Sequence, residues 1–348
     1  MQMKKKIQLI AGPCSAESRK QLIDTAALLE AGTVDYFRAG LWKPRTHPGC
    51  FEGVGEEGLP WLVEVRERFG MKVCTEVASP KHIEACLNAD IDLMWIGART
   101  TANPFMVEEI AQALAGTGKA VMVKNPVNQD AELWCGAIER LQRHGIEKIG
   151  IIHRGFSSFK DLKYRNDPRW QTAIEVRSAF PDLPFLCDPS HMSGDVRYIP
   201  EISQKAMDLG FDGLMVEVHN SPADAKSDNS QQLTPQEFQS LVDGLRVREN
   251  STEDVLYNEA LEQLRSEIDS IDDEIISALS RRMAVSREIG LRKKNSNIAI
   301  IQPSRWDEVI SDVYAKGREC GLSDDMLYKI FSAIHEASVS EQNKINEK

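Results

Sequence analysis

A (β/α)8 barrel followed by a small all-α domain is the fold class that this 348-residue sequence predicts. Three observations carry the prediction. Eight apolar, β-branched runs lie between residues 7 and 219; a helix-length amphipathic segment follows each of them; and beyond residue 250 the strand-like runs stop and long helical periodicity replaces them. The division falls at 1–250 and 251–348.

The runs are Ile7 to Cys14, Tyr36 to Leu41, Lys72 to Val77, Leu93 to Arg99, Ala120 to Pro126, Lys148 to Gly155, Pro184 to His191 and Gly213 to His219. Near-continuous apolar runs suit parallel strands covered on both faces. The predicted crossover helices are Arg19 to Ala31, Gly58 to Arg68, Pro80 to Asn88, Asn103 to Leu114, Asp130 to His144, Arg169 to Phe180, Pro200 to Asp208 and Thr234 to Leu245. A doubly wound open sheet is the alternative, but no Gly-rich fingerprint follows the first run.

Residues 246–254 are polar. From Val255 to about Lys294, Leu261, Leu264, Ile268, Ile271, Ile275, Leu279 and Met283 recur at helical spacing, with no proline, and no glycine before Gly290. Two further helices are predicted, Ser304 to Glu319 and Ser323 to about Asn346, the second opening on an N-cap serine after Gly321. Three helices of which one is so long make a thin core, so this domain is expected to form a homodimer by pairing with a second copy.

Composition narrows the function classes. The seven cysteines are odd in number and lack zinc-finger spacing, which disfavours structural disulfides. The net charge of -11 disfavours a nucleic-acid partner. The basic start, Met1 to Lys6, precedes no membrane span or signal-peptide pattern, so a cytoplasmic protein is expected. Because Cys14 comes so early, no additional N-terminal regulatory domain is expected.

In a (β/α)8 barrel the chemistry collects at the C-terminal ends of the strands. Here those ends carry Cys14, Arg38, Glu76, Arg99, Lys124, Arg154, His191 and Glu217. Cys14, His191 and Glu217, with Asp228 from the loop after the last run, mix thiolate, imidazole and carboxylate, a set suited to one divalent transition metal of the Mn, Fe, Co or Zn class. Taken without the rest of the pattern, they read more readily as a buried cysteine, a core-edge histidine and two solvated carboxylates. Arg38, Lys43, Arg45, Arg99, Lys124 and Arg154 gather six cations on the same face, and arginine forks match phosphate and carboxylate oxygens in pairs. A site for two phosphorylated substrates follows.

Ala11-Gly12-Pro13-Cys14-Ser15, Lys43-Pro44-Arg45-Thr46, Gly97-Ala98-Arg99-Thr100-Thr101, Lys124-Asn125-Pro126, His153-Arg154-Gly155 and Asp188-Pro189-Ser190-His191 together resemble 3-deoxy-D-arabino-heptulosonate 7-phosphate (DAHP) synthase over about residues 5 to 248. The related 3-deoxy-D-manno-octulosonate 8-phosphate synthases have Lys-Ala-Asn-Arg-Ser where this chain has Lys43-Pro44-Arg45-Thr46. The resemblance implies condensation of phosphoenolpyruvate with erythrose 4-phosphate. It gives Arg99, Lys124 and Arg154 to the phosphate and carboxylate of phosphoenolpyruvate with Arg38 and Lys43 beside them, a proton-transfer role to Lys43, and the aldose phosphate to Arg45 and Thr46. Glu76 and Asp188 are expected in the same mouth, either contacting water or a sugar hydroxyl or forming salt bridges with the neighbouring cations.

Among the C-terminal helices, Arg265 and Arg282 would stand about 25 Å apart on a straight helix, too far to grip one small molecule, so Arg265 could share a ligand with Arg282 and Lys293 only across two chains. Leu264-Arg265, Ile271-Asp272, Arg282, Gly290, Lys293, Arg305, Phe331, Ser338 and Gln342 resemble the all-helical chorismate mutases in register. That resemblance implies chorismate rearranging to prephenate without a metal or other cofactor. Arg282 and a partner's Arg265 would bind the two carboxylates, Lys293 and Gln342 would bracket the ether oxygen, and Arg305 and Ser338 would complete the site. Gln302 and Trp306 depart from it, standing where some members carry acids. Two alternatives stay open: a helical domain that only senses chorismate or prephenate and regulates the barrel, or one that only dimerises.

Overall fold

The structure, a computed structural model, describes residues 6–29, 32–45, 49–158, 162–249, 254–301 and 303–346, with backbone alone at 303, 304 and 346. The chain forms two compact units, 1–250 and 251–348.

In the first unit β1 (Gln8–Gly12), β2 (Tyr36–Arg38), β3 (Lys72–Val77), β4 (Leu93–Ile96), β5 (Ala120–Lys124), β6 (Ile149–His153), β7 (Phe185–Cys187) and β8 (Gly213–Glu217) form a closed barrel in sequence order. Closure is the parallel pairing of β1 with β8, where Ile10 lies opposite Met215 and Gly12 opposite Glu217. Alternation along each strand sends Ile10, Cys74, Leu93, Trp95, Met122, Ile152, Leu186 and Met215 into the barrel as one buried cluster. Their neighbours point outward into the larger layer between strands and helices.

The covering helices are α1 (Arg19–Leu28), α2 (Leu59–Phe69), α3 (Pro80–Asn88), α5 (Pro104–Leu114), α6 (Ala131–Arg143), α7 (Trp170–Ala179), α9 (Ile199–Asp208) and α10 (Pro235–Gly244), while α4 (Ala98–Thr101) and α8 (Pro189–Ser193) are single turns. Local chemistry sets their starts. Ser18, Ser79, Asn103 and Asp130 accept from backbone N–H groups of the first turn, and Thr234 with Glu237 closes a capping box. Gly70, at φ 68°, ends α2 in the left-handed conformation.

The strands are shorter than the apolar runs. The run ending at Arg99 gives a strand only to Ile96, and the run ending at His191 gives one only to Cys187. Pro189 has no N–H for the ladder, and Gly97 and Asp188 serve as N-caps, so the chain turns into α4 and α8 at those points. Arg99 and His191 therefore ride on short helices beyond the ladder, whereas Arg38, Lys124 and Glu217 are the last residues of their strands.

The second unit consists of α11 (Val255–Asn295), α12 (Pro303–Glu319) and α13 (Asp324–Asn346). Close approach needs small residues: a Cβ on Gly290 of α11 would stand 3.0 Å from Gln342 Cγ, and one on Gly317 of α12 would stand 2.2 Å from Leu327 Cδ1. The first half of α11 is different. Leu264, Ile268, Ile271 and Ile275 are each between 49% and 58% exposed. No helix among the described residues is long and apolar enough to cross a membrane.

Candidate active sites

At the barrel mouth, Gly12 shapes the loop that presents Cys14. Its φ is 144°, and a Cβ there would lie 2.2 Å from the carbonyl oxygen of Arg38. Donor atoms of Cys14, Glu217 and Asp228 all fall within 4.8 Å of one another. Cys14 Sγ is 3.2 Å from Asp228 Oδ2, and Lys43 Nζ donates to Cys14 Sγ at 2.6 Å and to its carbonyl at 2.8 Å. His191 stands beside this trio: Nε2 lies 3.6 Å from Glu217 Oε1, and Nδ1 lies 2.9 Å from Asp188 Oδ2 without a well-aligned hydrogen bond.

The charges are buried and mutually compensated. Arg38 Nη2 meets Glu217 Oε1 at 3.0 Å, and Lys124 Nζ meets Asp188 Oδ2 at 2.6 Å, with every side chain at most 4% exposed. Burial pushes the Cys14 thiol far up, and the Glu217 charge adds to it. Burial alone would raise the Asp188, Glu217 and Asp228 carboxyls, but His191 and then the neighbouring cations outweigh it and hold all three below the usual carboxylate range. Arg38 is the converse, depressed by burial yet raised on balance by Glu217. Its Nε and Nη1 are buried and have no hydrogen-bond partner among the described residues.

Arg99, Lys124, Arg154 and His191 line a cavity of about 280 Å³ together with Pro44, Glu76, Arg165 and Asn166. Burial lowers the Arg154 guanidinium to about 10. Glu76 lies against Gly97, in space that a Cβ would need. Asp188 is held by Lys124 and lies beside His191, from whose backbone N–H it accepts in capping α8. Arg45 follows Pro44 on the same loop, and Thr46 lies outside the described residues.

The helical unit has its own cavity of about 400 Å³, lined by Arg282, Ser286, Lys293, Arg305, Trp306, His335, Ser338 and Gln342 together with aliphatic side chains. Two of its cations lean on neutral groups: Arg282 Nη1 donates to Ser338 Oγ at 2.6 Å and Lys293 Nζ to the Ile300 carbonyl at 2.6 Å, whereas Arg305 Nη1 pairs with Glu308 Oε2 at 2.9 Å. Gln342 Nε2 donates to Ser286 Oγ at 3.2 Å, leaving Oε1 buried and without a partner among the described residues. Trp306 packs on His335 with ring centroids 4.5 Å apart. Arg265 pairs with Glu262, is not among the residues lining this cavity, and is 62% exposed. Gln302 lies outside the described residues.

The model of the DAHP synthetase I family matches residues 3–251. The chain belongs to that family. Its C-terminal part carries a type II chorismate mutase domain, matched over residues 264–343. A phospho-2-dehydro-3-deoxyheptonate aldolase of Thermotoga maritima is 34% identical over 254 residues, covering 70% of this chain and 72% of its own length. A 2-dehydro-3-deoxyphosphooctonate aldolase of Wolinella succinogenes is 28% identical over 264 residues, covering 67% and 96%. The crystal structure of DAHP synthase from Thermotoga maritima superimposes with a TM-score of 0.62 at 32% identity, over 69% of this chain and 68% of that one. A truncated form of the Thermotoga enzyme gives a TM-score of 0.59 at 30% identity, over 69% and 85%. One chain thus combines two enzyme domains of the shikimate pathway.

The DAHP synthase mouth also contains residues that the sequence reading missed. Arg165 Nη1 donates to Asp228 Oδ1 and to Gln231 Oε1, each at 2.9 Å. Gln231 Nε2 donates to Glu217 Oε2 at 2.6 Å, and Gln232 Oε1 accepts from the Cys14 backbone N–H at 2.9 Å. Asn166 joins Arg154 to the His191 carbonyl. All four sit in polar loops without periodicity. Their proximity to Asp228 and to the strand-six arginine is the only signal the sequence offers.

Proposed function

We propose that the barrel condenses phosphoenolpyruvate with erythrose 4-phosphate to DAHP and phosphate, and that the helical unit rearranges chorismate to prephenate. What carries the first part is the cation-lined cavity beside the Cys14, Glu217 and Asp228 donors. Those three, with His191 adjoining, suit a divalent metal of the Mn, Fe, Co or Zn class: they offer soft and hard donors in one buried cluster. Such an ion, when bound, supplies a Lewis acid for the aldose aldehyde.

The residues of the chain do the remaining work. Arg99, Lys124 and Arg154 bind the phosphate and carboxylate of phosphoenolpyruvate, and the unpartnered Nε and Nη1 of Arg38 suit a further anionic oxygen. Lys43 touches Cys14 of the donor cluster and precedes Pro44 of the cavity wall, and its ammonium can give a proton to the oxygen that gains charge as C3 of the enol bonds to the aldehyde carbon. Water then adds at C2 and the C2–O bond to phosphate breaks. Arg45 and Thr46 take the aldose phosphate, and Asp188 holds Lys124 and His191 in place.

In the helical cavity, three basic residues and no acidic one among the lining residues suit a dicarboxylate. Arg282 binds one carboxylate, Lys293 and Gln342 bracket the ether oxygen, and Arg305 and Ser338 complete the contacts. Stabilising the separating charge and folding the substrate suffices for a unimolecular rearrangement. Arg265 lies outside the cavity of its own chain, and the exposed apolar face of α11 supports a homodimer in which it serves the partner's cavity. A sensor role, with chorismate or prephenate bound to regulate the barrel, is favoured by Trp306, which stands where some mutases carry an acid. The set of seven free cysteines fits a reducing cytoplasm.

The test is phosphate release from phosphoenolpyruvate and erythrose 4-phosphate with a divalent metal, alongside chorismate consumption, each with and without prephenate. Absence of phosphate release would sink the barrel reading. Absence of chorismate consumption, with prephenate slowing the barrel, would leave only the sensor.

A further inference from the structure

Trp95 lies beneath the phosphoenolpyruvate cavity, fully buried on β4 and facing the barrel interior. Its ring is flanked by two of the cations given to the substrate: Arg38 Cζ is 5.0 Å from the ring centroid and Lys124 Nζ is 5.7 Å away. Each cation is tied on another side by a carboxylate, Glu217 for Arg38 and Asp188 for Lys124. The indole Nε1–H donates to Glu76 Oε2 at 3.1 Å, while the rest of that carboxylate fills the notch left by Gly97. One side chain therefore touches three charged groups of the mouth.

We propose that Trp95 is a positioning residue for the condensation: its ring spaces the Arg38 and Lys124 charges, and its Nε1–H aims Glu76 into the cavity. Like charges under a single anion repel one another, and in a buried floor an aromatic face attracts both while leaving their pairing with carboxylates intact. A further carboxylate in place of the ring would add negative charge beside cations already paired with Glu217 and Asp188, and an aliphatic side chain would offer no electrostatic hold. Glu76 gains a fixed orientation from the same ring, with one hydrogen bond and one steric wall. The inference rests on the phosphoenolpyruvate reading above.

Two variants separate the two roles. Trp95→Phe keeps a ring face and removes the N–H; a fall in kcat of about tenfold with the KM for phosphoenolpyruvate within about twofold is expected, as for loss of a group that orients a reacting neighbour. Trp95→Leu removes both; its KM for phosphoenolpyruvate is expected to rise by about a further tenfold, the scale of a desolvated cation–π contact. Phosphoenolpyruvate should also change the wild-type tryptophan fluorescence by an amount missing from Trp95→Phe. The proposal is overturned if both variants keep kcat and KM within about twofold of wild type. If Trp95→Leu fails to fold, Trp95→Phe decides alone, because unchanged kcat and an unchanged fluorescence response overturn it. A wild-type protein that releases no phosphate from phosphoenolpyruvate refutes the site reading instead.

Discussion

The barrel mouth and the helical cavity both concentrate positive charge, but they balance it in opposite ways. In the barrel, Arg38 and Lys124 are buried against Glu217 and Asp188. In the helical unit only Arg305 has a carboxylate beside it, Glu308, while Arg282 and Lys293 lean on a serine hydroxyl and a backbone carbonyl, which leave their charge for an entering anion. A buried network of both signs can host a cation and an anion side by side, whereas an uncompensated basic pocket is built for an anion alone. The difference accords with the two reactions proposed above, a condensation beside a donor cluster and a rearrangement between fixed charges.

The largest expected effect breaks the symmetry between them. Removal of divalent metal by a chelator, or Cys14→Ala, should nearly abolish DAHP formation and leave chorismate turnover within about twofold, a contrast rooted in deletion of the Lewis acid from one site only. Parallel assays on one preparation read it, and equal loss of both activities would break the comparison. The reverse contrast is Arg282→Ala, which should lower chorismate turnover by about 10²–10³-fold, the usual scale for one lost electrostatic contact to a transition state, without changing phosphate release. Gln231→Ala should lower metal affinity or condensation by about 10–100-fold, because it frees Glu217 from its orienting hydrogen bond. Metal titration of the variant measures this.

The last effect concerns stability, not activity. His153 is buried behind Arg154, donates to the Pro168 carbonyl, and has its pKa lowered to about 4 chiefly by burial. The unfolded chain therefore binds a proton that the folded barrel refuses, so stability falls as pH drops below about 6.5 and the loss levels off below about 4, reaching about 3 kcal/mol. Denaturant melts from pH 7 to 4, followed by tryptophan fluorescence, read it; a His153→Phe variant should flatten the dependence.

The sequence made the barrel legible because parallel strands covered on both faces must be apolar throughout, and because serine, asparagine and proline mark where helices begin. It made the strand ends less legible. The apolar run through Trp95 and Ile96 continues into Gly97 and Ala98, and only the cap geometry shows that the ladder has stopped. Cys14, Glu217 and Asp228 could be grouped in advance because closing the barrel brings the first and last strands together. Arg165 and Gln231 could not be found that way. They lie in loops whose path depends on tertiary contacts, such as the backbone bond from Arg165 to Ser193, and nothing in their spacing announces a partner. In the helical unit, the rise of an α-helix was enough to separate Arg265 from Arg282, whereas the packing of Trp306 on His335 depended on how α12 meets α13.

The single turns that carry Arg99 and His191 have a consequence for how such a protein changes over generations. Each begins after the last ladder hydrogen bond of its strand, at a cap supplied by Gly97 or Asp188. A substitution of Arg99 or His191 alters what the mouth can bind without unpairing a strand, so inherited variation in chemistry at those two positions is partly uncoupled from inherited variation in folding. Asp188 is the exception: as cap of one turn and counter-ion of Lys124, it ties the two kinds of variation together.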